Sequence, residues 1–365
     1  MLIRKVLILA NNDIGLYNFR LEIIERLLSK GIKVYLSLPN GKRIADLKAK
    51  GCCFLETSVD RRGMNPIKDI LLFFHYLSIL RKETPDVVFT YTIKPNIYGG
   101  LAASMFRTPY ICNVTGLGTA VERTGVLQKI TLSLYKIALR KVACIFFQNG
   151  ENKRFFANRN IQVGKHRLIP GSGVNLRKFT LMDYPDDNGK IRFVFISRIM
   201  KEKGVEEYLT AAKFIKKKYP LTEFGILGFC EEAYEQTIQE LNKYGIINFY
   251  GLQSDIRPFL KQAHCTIHPT FYPEGMSNVV LESAASGRPV ITTNRSGCKE
   301  AVEDGKTGFL FMERKVNELI SKIELFLSLD NDTRRQMGVL AHEKMKREFD
   351  RDIVVDAYMD ELSKL

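Results

Sequence analysis

Residues 272–291 read Tyr272-Pro273-Glu274-Gly275-Met276-Ser277-Asn278-Val279-Val280-Leu281-Glu282-Ser283-Ala284-Ala285-Ser286-Gly287-Arg288-Pro289-Val290-Ile291. Pro273-Glu274-Gly275 makes a tight turn, Ser277 or Asn278 stands where a helix cap belongs, and an apolar stretch of helical spacing follows. Gly287-Arg288-Pro289 closes that helix and leads into a strand-like run, 289–293. Another strand-like run, 264–268, comes before the turn. Strands joined through a helix lie parallel, so the segment predicts a doubly wound α/β sheet. The turn also sets a helix N-terminus beside two carboxylates, Glu274 and Glu282. That combination can hold a phosphorylated, hydroxyl-rich ligand.

The same alternation extends to both ends of the chain. Upstream, strands are expected at 3–10, 32–38, 52–56, 86–90, 109–113 and 142–147. The helices between them are expected at 18–30, 42–50, 67–82, 96–106 and 124–140. Turn-rich connectors at 169–175 and 184–189 interrupt the series. It resumes with strands at 191–197, 223–227, 246–250, 264–268, 289–293 and 308–311. Helices in this half are expected at 204–218, 231–244, 255–262, 277–286, 298–303 and 315–328, with a last helical region at 333–363. The reading is two doubly wound Rossmann-like domains facing across a cleft, 1–170 and 171–345, with a C-terminal helix, 346–365, packing back on the first. Ligands of such sheets bind beyond the carboxyl ends of the strands, which here means in the cleft.

Composition narrows the class. The chain has 365 residues, 45% apolar and 26% charged, which suits two soluble domains. No apolar run is long enough to cross a bilayer, and Met1–Ala10, followed at once by Asn11-Asn12-Asp13, reads as a buried strand rather than a signal peptide. Seven cysteines without a Cys-x-x-Cys pair fit a reduced, cytosolic chain. His75, His166, His264, His268 and His342 lack metal-ligand spacing and read as packed or solvated. Asp186-Asp187 lies in a linker without supporting ligands, so no metal site is expected. Charge is uneven: residues 1–170 carry 27 Lys/Arg against 11 Asp/Glu, whereas 171–365 carry 28 against 29. A basic first half suits an anionic partner.

Three loops carry candidate chemistry. In the first, already quoted, Gly275 lets backbone approach a ligand, and Glu282, one turn inside the helix, can accept two ribose hydroxyls. The competing reading is a capped surface helix with incidental acids. In the second, Ser197-Arg198-Ile199-Met200-Lys201-Glu202-Lys203-Gly204, Arg198 can fork onto phosphate oxygens and Lys203 can add a point charge. The competing reading is a solvated basic loop. No Gly-rich phosphate loop is present. In the third, Asn11 to Arg20, Gly15 and Asn18 open the first helix. The loop departs from Gly-x-Gly-x-x-Gly, which argues against a dinucleotide oxidoreductase.

With these residues the chain resembles the family 4 retaining glycosyltransferases of GT-B fold. Thr90-Tyr91-Thr92-Ile93-Lys94-Pro95-Asn96 and Val114-Thr115-Gly116-Leu117-Gly118 resemble the bacterial branch that extends undecaprenyl-diphosphate-linked glycans, N-acetylgalactosaminyltransferases among them. The resemblance implies that Arg198 and Lys203 bind a donor diphosphate, and that Glu282 holds the ribose. Glu274 with Gly275, Met276, Ser277 and Asn278 would hold sugar and diphosphate, Gly15 would approach the donor, and Leu252 would lie near the base. Asn18, Lys94, Asn96 and Thr115 fall on the acceptor side. Relatives carry a histidine in the first-domain loops where this chain has Tyr91-Thr92 and Thr115, so no histidine-centred mechanism is expected. The implied reaction is metal-independent, retaining transfer from a UDP-sugar, such as UDP-N-acetylgalactosamine, to a lipid-diphosphate-linked saccharide in bacterial surface glycan assembly. Catalysis would centre on Glu274, Arg198 and Lys203.

Two further expectations concern partners. Helix 67–82, with Phe73, Phe74, Tyr76 and Leu77, and residues 123–141, with Lys129, Lys136 and Arg140 beside Leu127, Ile130, Leu134 and Ile137, read as amphipathic surfaces for an anionic membrane. The expected location is cytoplasmic, peripheral on the inner face of the plasma membrane. The competing view has both helices simply covering the first sheet. The rival functions are a soluble GT-B enzyme making a small glycoside or sugar phosphate, and a basic nucleic-acid-binding protein. The latter lacks any zinc pattern or aromatic RNA-binding signature, so no nucleic acid is expected as partner.

Overall fold

The computed structural model describes residues 2–60, 63, 65–118, 121, 125–161, 165–186 and 188–365. Residues 123–124, at the expected start of the basic helix, and Asp187 of the acidic linker lie outside the described residues. The chain divides into two compact units. The first comprises Met1–Ser172, Pro273–Met276 and Arg351–Leu365, and the second Gly173–Tyr272 and Ser277–Asp350.

Among the described residues the first unit holds seven parallel strands: β1 (Lys5–Leu9), β2 (Lys33–Leu38), β3 (Cys53–Glu56), β4 (Val87–Tyr91), β5 (Tyr110–Val114), β6 (Cys144–Phe147) and β7 (His166–Leu168). Their order is β3-β2-β1-β4-β5-β6-β7. Strand residues alternate cleanly between two cores. Val6, Ile8, Phe89, Ile111 and Phe146 face one, with Tyr358 and Val354 of the helix Arg351–Ser363. Leu7, Leu9, Val88, Cys112 and Ile145 face the other, with Tyr76 of the helix Pro66–Glu83 and Tyr135 of the helix Val126–Ala138. Burial on both faces explains why Val87–Tyr91 is uninterrupted by an exposed side chain.

The second unit holds β8 (Arg192–Ile196), β9 (Glu223–Leu227), β10 (Asn248–Gly251), β11 (Cys265–His268), β12 (Val290–Thr293) and β13 (Gly308–Phe311), all parallel, in the order β10-β9-β8-β11-β12-β13. Phe193, Phe195, Phe224 and Ile267 pack with Tyr208 and Ile215 of the helix Val205–Lys218. Each such ring contributes about 2–3 kcal/mol when fully buried. In both units the strand order reverses beside the first strand, between β1 and β4 and between β8 and β11. Crevices form at those reversals, beyond the carboxyl ends of the strands.

Several expected elements differ in detail. The first helix begins at Asp13, not 18, because Asn12 caps it: Gly15 N donates to Asn12 Oδ1 at 2.6 Å. The helix expected at 96–106 opens as a π-helical turn, Pro95–Gly99, before Gly100–Met105. Residues 298–303 form only a 3₁₀ turn, Lys299–Ala301. The region 333–363 is two helices, Asn331–Glu348 and Arg351–Ser363, broken where Phe349 O accepts from Val174 N at 2.8 Å. The helix Gly150–Ala157 and the short edge strand β7 escape the sequence reading.

Candidate functional site

In the second unit the loops after β8 and β11 meet. Phe271 N donates to Glu202 O at 2.9 Å, and Thr270 Oγ1 donates to the same oxygen at 3.3 Å. Gly204 adopts φ +77°, and a Cβ there would overlap the carbonyl oxygen of Pro269. Only glycine allows this approach. The contact brings two cations over one ring: the Arg198 guanidinium lies 5.3 Å and the Lys203 ammonium 4.9 Å from the centre of Tyr272. Lys203 is only 8% exposed. Arg198 is not the free fork that the sequence suggests, since its Nη1 donates to Glu231 Oε2 at 2.5 Å. Its remaining N–H groups are those available to an anion.

The helix Asn278–Ala285 starts beside these cations' loop, at the end of β11. Ser277 occupies the N-cap position but makes no capping hydrogen bond. Its Oγ lies 3.0 Å from His268 Nε2, and its backbone N donates to Gly297 O at 2.7 Å. Of the two residues expected to cap the helix, Ser277 or Asn278, Ser277 stands at the cap position, but its hydroxyl faces the histidine rather than the helix amides. Burial, and next the charge of Lys203, push the His268 imidazole down to about 3, so it is neutral at ordinary pH. Glu282 and Asn278 are half-buried on this helix. Leu252 is largely exposed and, with Gly228, Phe229, Cys230 and Gly251, lines an open pocket of about 250 Å³.

The loop Pro273–Met276 belongs to the first unit, so Glu274 and Glu282 stand on different units. Asn149 Nδ2 donates to Gly275 O at 2.6 Å, while Asn149 Oδ1 caps the helix Gly150–Ala157. A Cβ at Gly275 would overlap Thr115 O and Gln148 Oε1. Met276 is buried against Gly171, and Glu274 is half-buried. Gln148 in turn donates to Asn113 Oδ1 at 3.2 Å. Gln148 and Asn149 escape the sequence reading. Their position directly after a buried strand, where a βα loop begins, was the available signal.

Of the acceptor-side candidates, Asn18 is exposed and Thr115 half-exposed. The other two have partners within the first unit. Asn96 is fully buried and donates to Asn113 O at 3.0 Å, so it serves the core. Lys94 is held by Asp69 Oδ1 at 2.6 Å and Gly63 O at 2.9 Å, a strut between the helix Pro66–Glu83 and the loop before it. The amide of Gly15 is committed to its cap. Thr92 takes φ +71°, unusual for a β-branched residue, at the end of β4 beside the strand-order reversal.

The face of the first unit carrying the helices Pro66–Glu83, Gly100–Met105 and Val126–Ala138 departs from simple amphipathicity. Val126–Ala138 buries Gln128, Thr131, Tyr135 and Ala138 and leaves Val126, Leu127, Ile130 and Ile137 outward with Lys129 and Lys136. Ile67, Ile70, Leu71 and Phe74 are exposed on Pro66–Glu83, although Leu72, Tyr76 and Ile79 cover the sheet. Among the described residues no helix is long and apolar enough to cross a membrane, and no group of three His, Cys, Asp or Glu is placed to hold a metal ion.

Two family models match the chain: "Glycosyl transferase 4-like" over residues 5–149 and "Glycosyl transferases group 1" over 181–343. A Campylobacter jejuni protein described as N,N'-diacetylbacillosaminyl-diphospho-undecaprenol alpha-1,3-N-acetylgalactosaminyltransferase is 26% identical, with 96% of each chain covered. An Escherichia coli UDP-Gal:alpha-D-GlcNAc-diphosphoundecaprenol alpha-1,3-galactosyltransferase is 27% identical over 74% of this chain and 73% of that protein. Among solved structures, Anabaena HepE in complex with UDP-glucose superposes with a TM-score of 0.81 at 16% identity, covering 99% of this chain and 100% of its own. At such identity the likeness shows the fold alone, the GT-B plan of two Rossmann-like domains.

Proposed function

We propose that this chain, which belongs to the glycosyltransferases through a 4-like first part and a group 1 second part, moves a sugar from a UDP-sugar to a lipid-diphosphate-linked saccharide with retention of anomeric configuration. The observation that carries the donor reading is the pair of cations, Arg198 and Lys203, held over Tyr272 where the strand order of the second unit reverses. Breaking the anomeric bond leaves negative charge on a nucleoside diphosphate. Two fixed cations and the N-terminus of the helix Asn278–Ala285 are suited to stabilise that charge without a metal ion.

The other roles follow from chemistry. Glu282 accepts the ribose hydroxyls, the pocket beside Leu252 receives the base, and Glu274 with the Gly275–Asn278 backbone binds sugar and diphosphate. The carboxylates then grip the donor rather than shuttle protons as a hydrolase pair does. The acceptor attacks the face from which the diphosphate departs, and a departing phosphate oxygen takes the acceptor proton. Asn18 and Thr115 remain as acceptor contacts. The Campylobacter and Escherichia relatives are both described as acting on diphospho-undecaprenol sugars, which supports a lipid-linked acceptor in surface glycan assembly and UDP-N-acetylgalactosamine as the first donor to try.

A polyprenyl acceptor lives in a membrane. The outward Ile67, Ile70, Leu71, Phe74, Val126, Ile130 and Ile137, interspersed with Lys68, Lys129 and Lys136, suit the headgroup region of an anionic leaflet. The chain would then work peripherally on the inner face of the plasma membrane. Turnover of UDP-sugars with undecaprenyl-diphosphate-linked and lipid-free acceptors tests this reading. Transfer only to the lipid-linked acceptor supports it, and equal transfer to a free saccharide would refute the lipid requirement.

A further inference from the structure

We infer that His268 is a positioning residue that turns the Ser277 hydroxyl from a helix cap into a hydrogen-bond donor for the diphosphate of the nucleotide sugar. The inference rests on the donor site proposed above and adds to it a role for a side-chain pair.

Serine at an N-cap ordinarily accepts from the second or third amide of its helix. Ser277 makes no such bond, although its backbone, at φ −76° and ψ 107°, is in the extended region that a cap uses. The hydroxyl instead faces His268 Nε2 at 3.0 Å. The imidazole is 1% exposed, and Nδ1 has no hydrogen-bond partner. Thr292 Oγ1 fixes the same residue through its carbonyl oxygen at 2.7 Å.

Those partners decide the tautomer. A proton on Nδ1 would bury an N–H with no acceptor, a rare arrangement in folded proteins. A proton on Nε2 gives the ring one donor and gives Ser277 Oγ that donor to accept. The serine's own O–H is then left for another acceptor, at the mouth of the helix Asn278–Ala285. Two consequences follow together. The amides of Val279 and Val280, which a serine cap would occupy, keep their capacity for an anionic oxygen, and Ser277 adds a hydroxyl donor beside them. Lys203 supplies the nearby positive charge and also opposes protonation of the ring. The device thus makes a helix mouth more anion-seeking without adding charge.

The test is calorimetric titration of the full-length protein with UDP, for wild type and for Ser277→Ala, His268→Leu, His268→Gln and the Ser277→Ala/His268→Leu pair. Removing one hydrogen bond to a charged ligand weakens binding about tenfold or more. Ser277→Ala and His268→Leu should each show such a loss, and the double variant should lose no more than either. His268→Gln, whose amide can donate to Ser277 from near the position of Nε2, should stay within about threefold of wild type by the same measure. The inference is overturned if the two single losses multiply, if His268→Leu binds UDP as tightly as wild type, or if His268→Gln falls as far as His268→Leu. A merely structural histidine would weaken binding equally in the serine and alanine backgrounds. Wild-type protein that fails to bind UDP would overturn the donor-site reading itself, a result distinct from additive losses around a working site.

Discussion

Replacing Lys203 by methionine keeps the unbranched stem and removes the charge. Lys203 as a whole is only 8% exposed, and its ammonium rests 4.9 Å from the centre of the Tyr272 ring. Solvent therefore screens it less than a surface lysine. Two unit charges 4 Å apart at an effective dielectric near 20 attract by about 4 kcal/mol. Desolvation offsets part of this, and a hydrogen bond to a charged group contributes about 1.5–3 kcal/mol net. Lys203→Met should thus weaken UDP binding about 10- to 150-fold by the same conversion. Charge on the leaving diphosphate grows as the bond breaks, so kcat should fall as well as affinity. Calorimetry with UDP and initial rates with a UDP-sugar read the two effects, and thermal melting checks that the variant folds. A folded Lys203→Met protein that binds UDP within twofold of wild type would refute the assignment of Lys203 to the diphosphate.

The remaining expectations touch other links. Arg288 is fully buried and donates to the carbonyl oxygens of Leu260 at 2.7 Å and Asp183 at 2.6 Å, so Arg288→Met should cost about 1–3 kcal/mol in urea unfolding for each buried acceptor it orphans; a total loss under 1 kcal/mol contradicts this. Gly275→Ala should displace the loop Pro273–Met276 against Thr115 and Gln148 at a cost of about 1–3 kcal/mol and depress transfer in a protein that still folds; full activity would show that the loop has room. His268 faces Lys203 and stays neutral in the folded chain down to about pH 3, whereas the unfolded chain protonates it near its ordinary value of 6.5. The unfolded state therefore binds the extra proton between those values, and stability falls as pH falls. From pH 7 to 5 wild type should lose about 2 kcal/mol more than His268→Gln; parallel profiles would refute the neutral ring. Glutamate at both Phe74 and Ile130 should abolish co-flotation with anionic vesicles at low salt, and a variant that floats like wild type would remove this face from membrane contact.

The alternation of apolar runs with helical stretches was enough to read two doubly wound units, because each strand is buried on both faces and each crossover needs a helix. The location of polar loops at strand ends was legible for the same reason. What side chains do inside those loops was not. Lys94 and Asn96 look alike on paper as polar residues after a strand, yet Asp69 captures one and the core hides the other. Arg198 meets Glu231 from a loop 33 positions on, a pairing that no local pattern encodes. Ser277 satisfies every rule for a cap and is drawn away by a histidine nine positions earlier. The helix Val126–Ala138 misleads in the opposite sense: its hydrophobic stripe points outward, because Gln128 and Thr131 occupy the inner face and Gln128 Nε2 donates to Val121 O at 2.6 Å.

A donor site for a UDP-sugar, as proposed, serves transfer to a lipid-linked saccharide. Mass spectrometry of an undecaprenyl-diphosphate-linked saccharide after incubation with UDP-N-acetylgalactosamine, UDP-N-acetylglucosamine, UDP-galactose or UDP-glucose tests it most directly. One of these donors should add a single sugar residue to the acceptor, and Lys203→Met should slow the addition without changing the product. No mass gain with any UDP-sugar, from a folded protein, would contradict it.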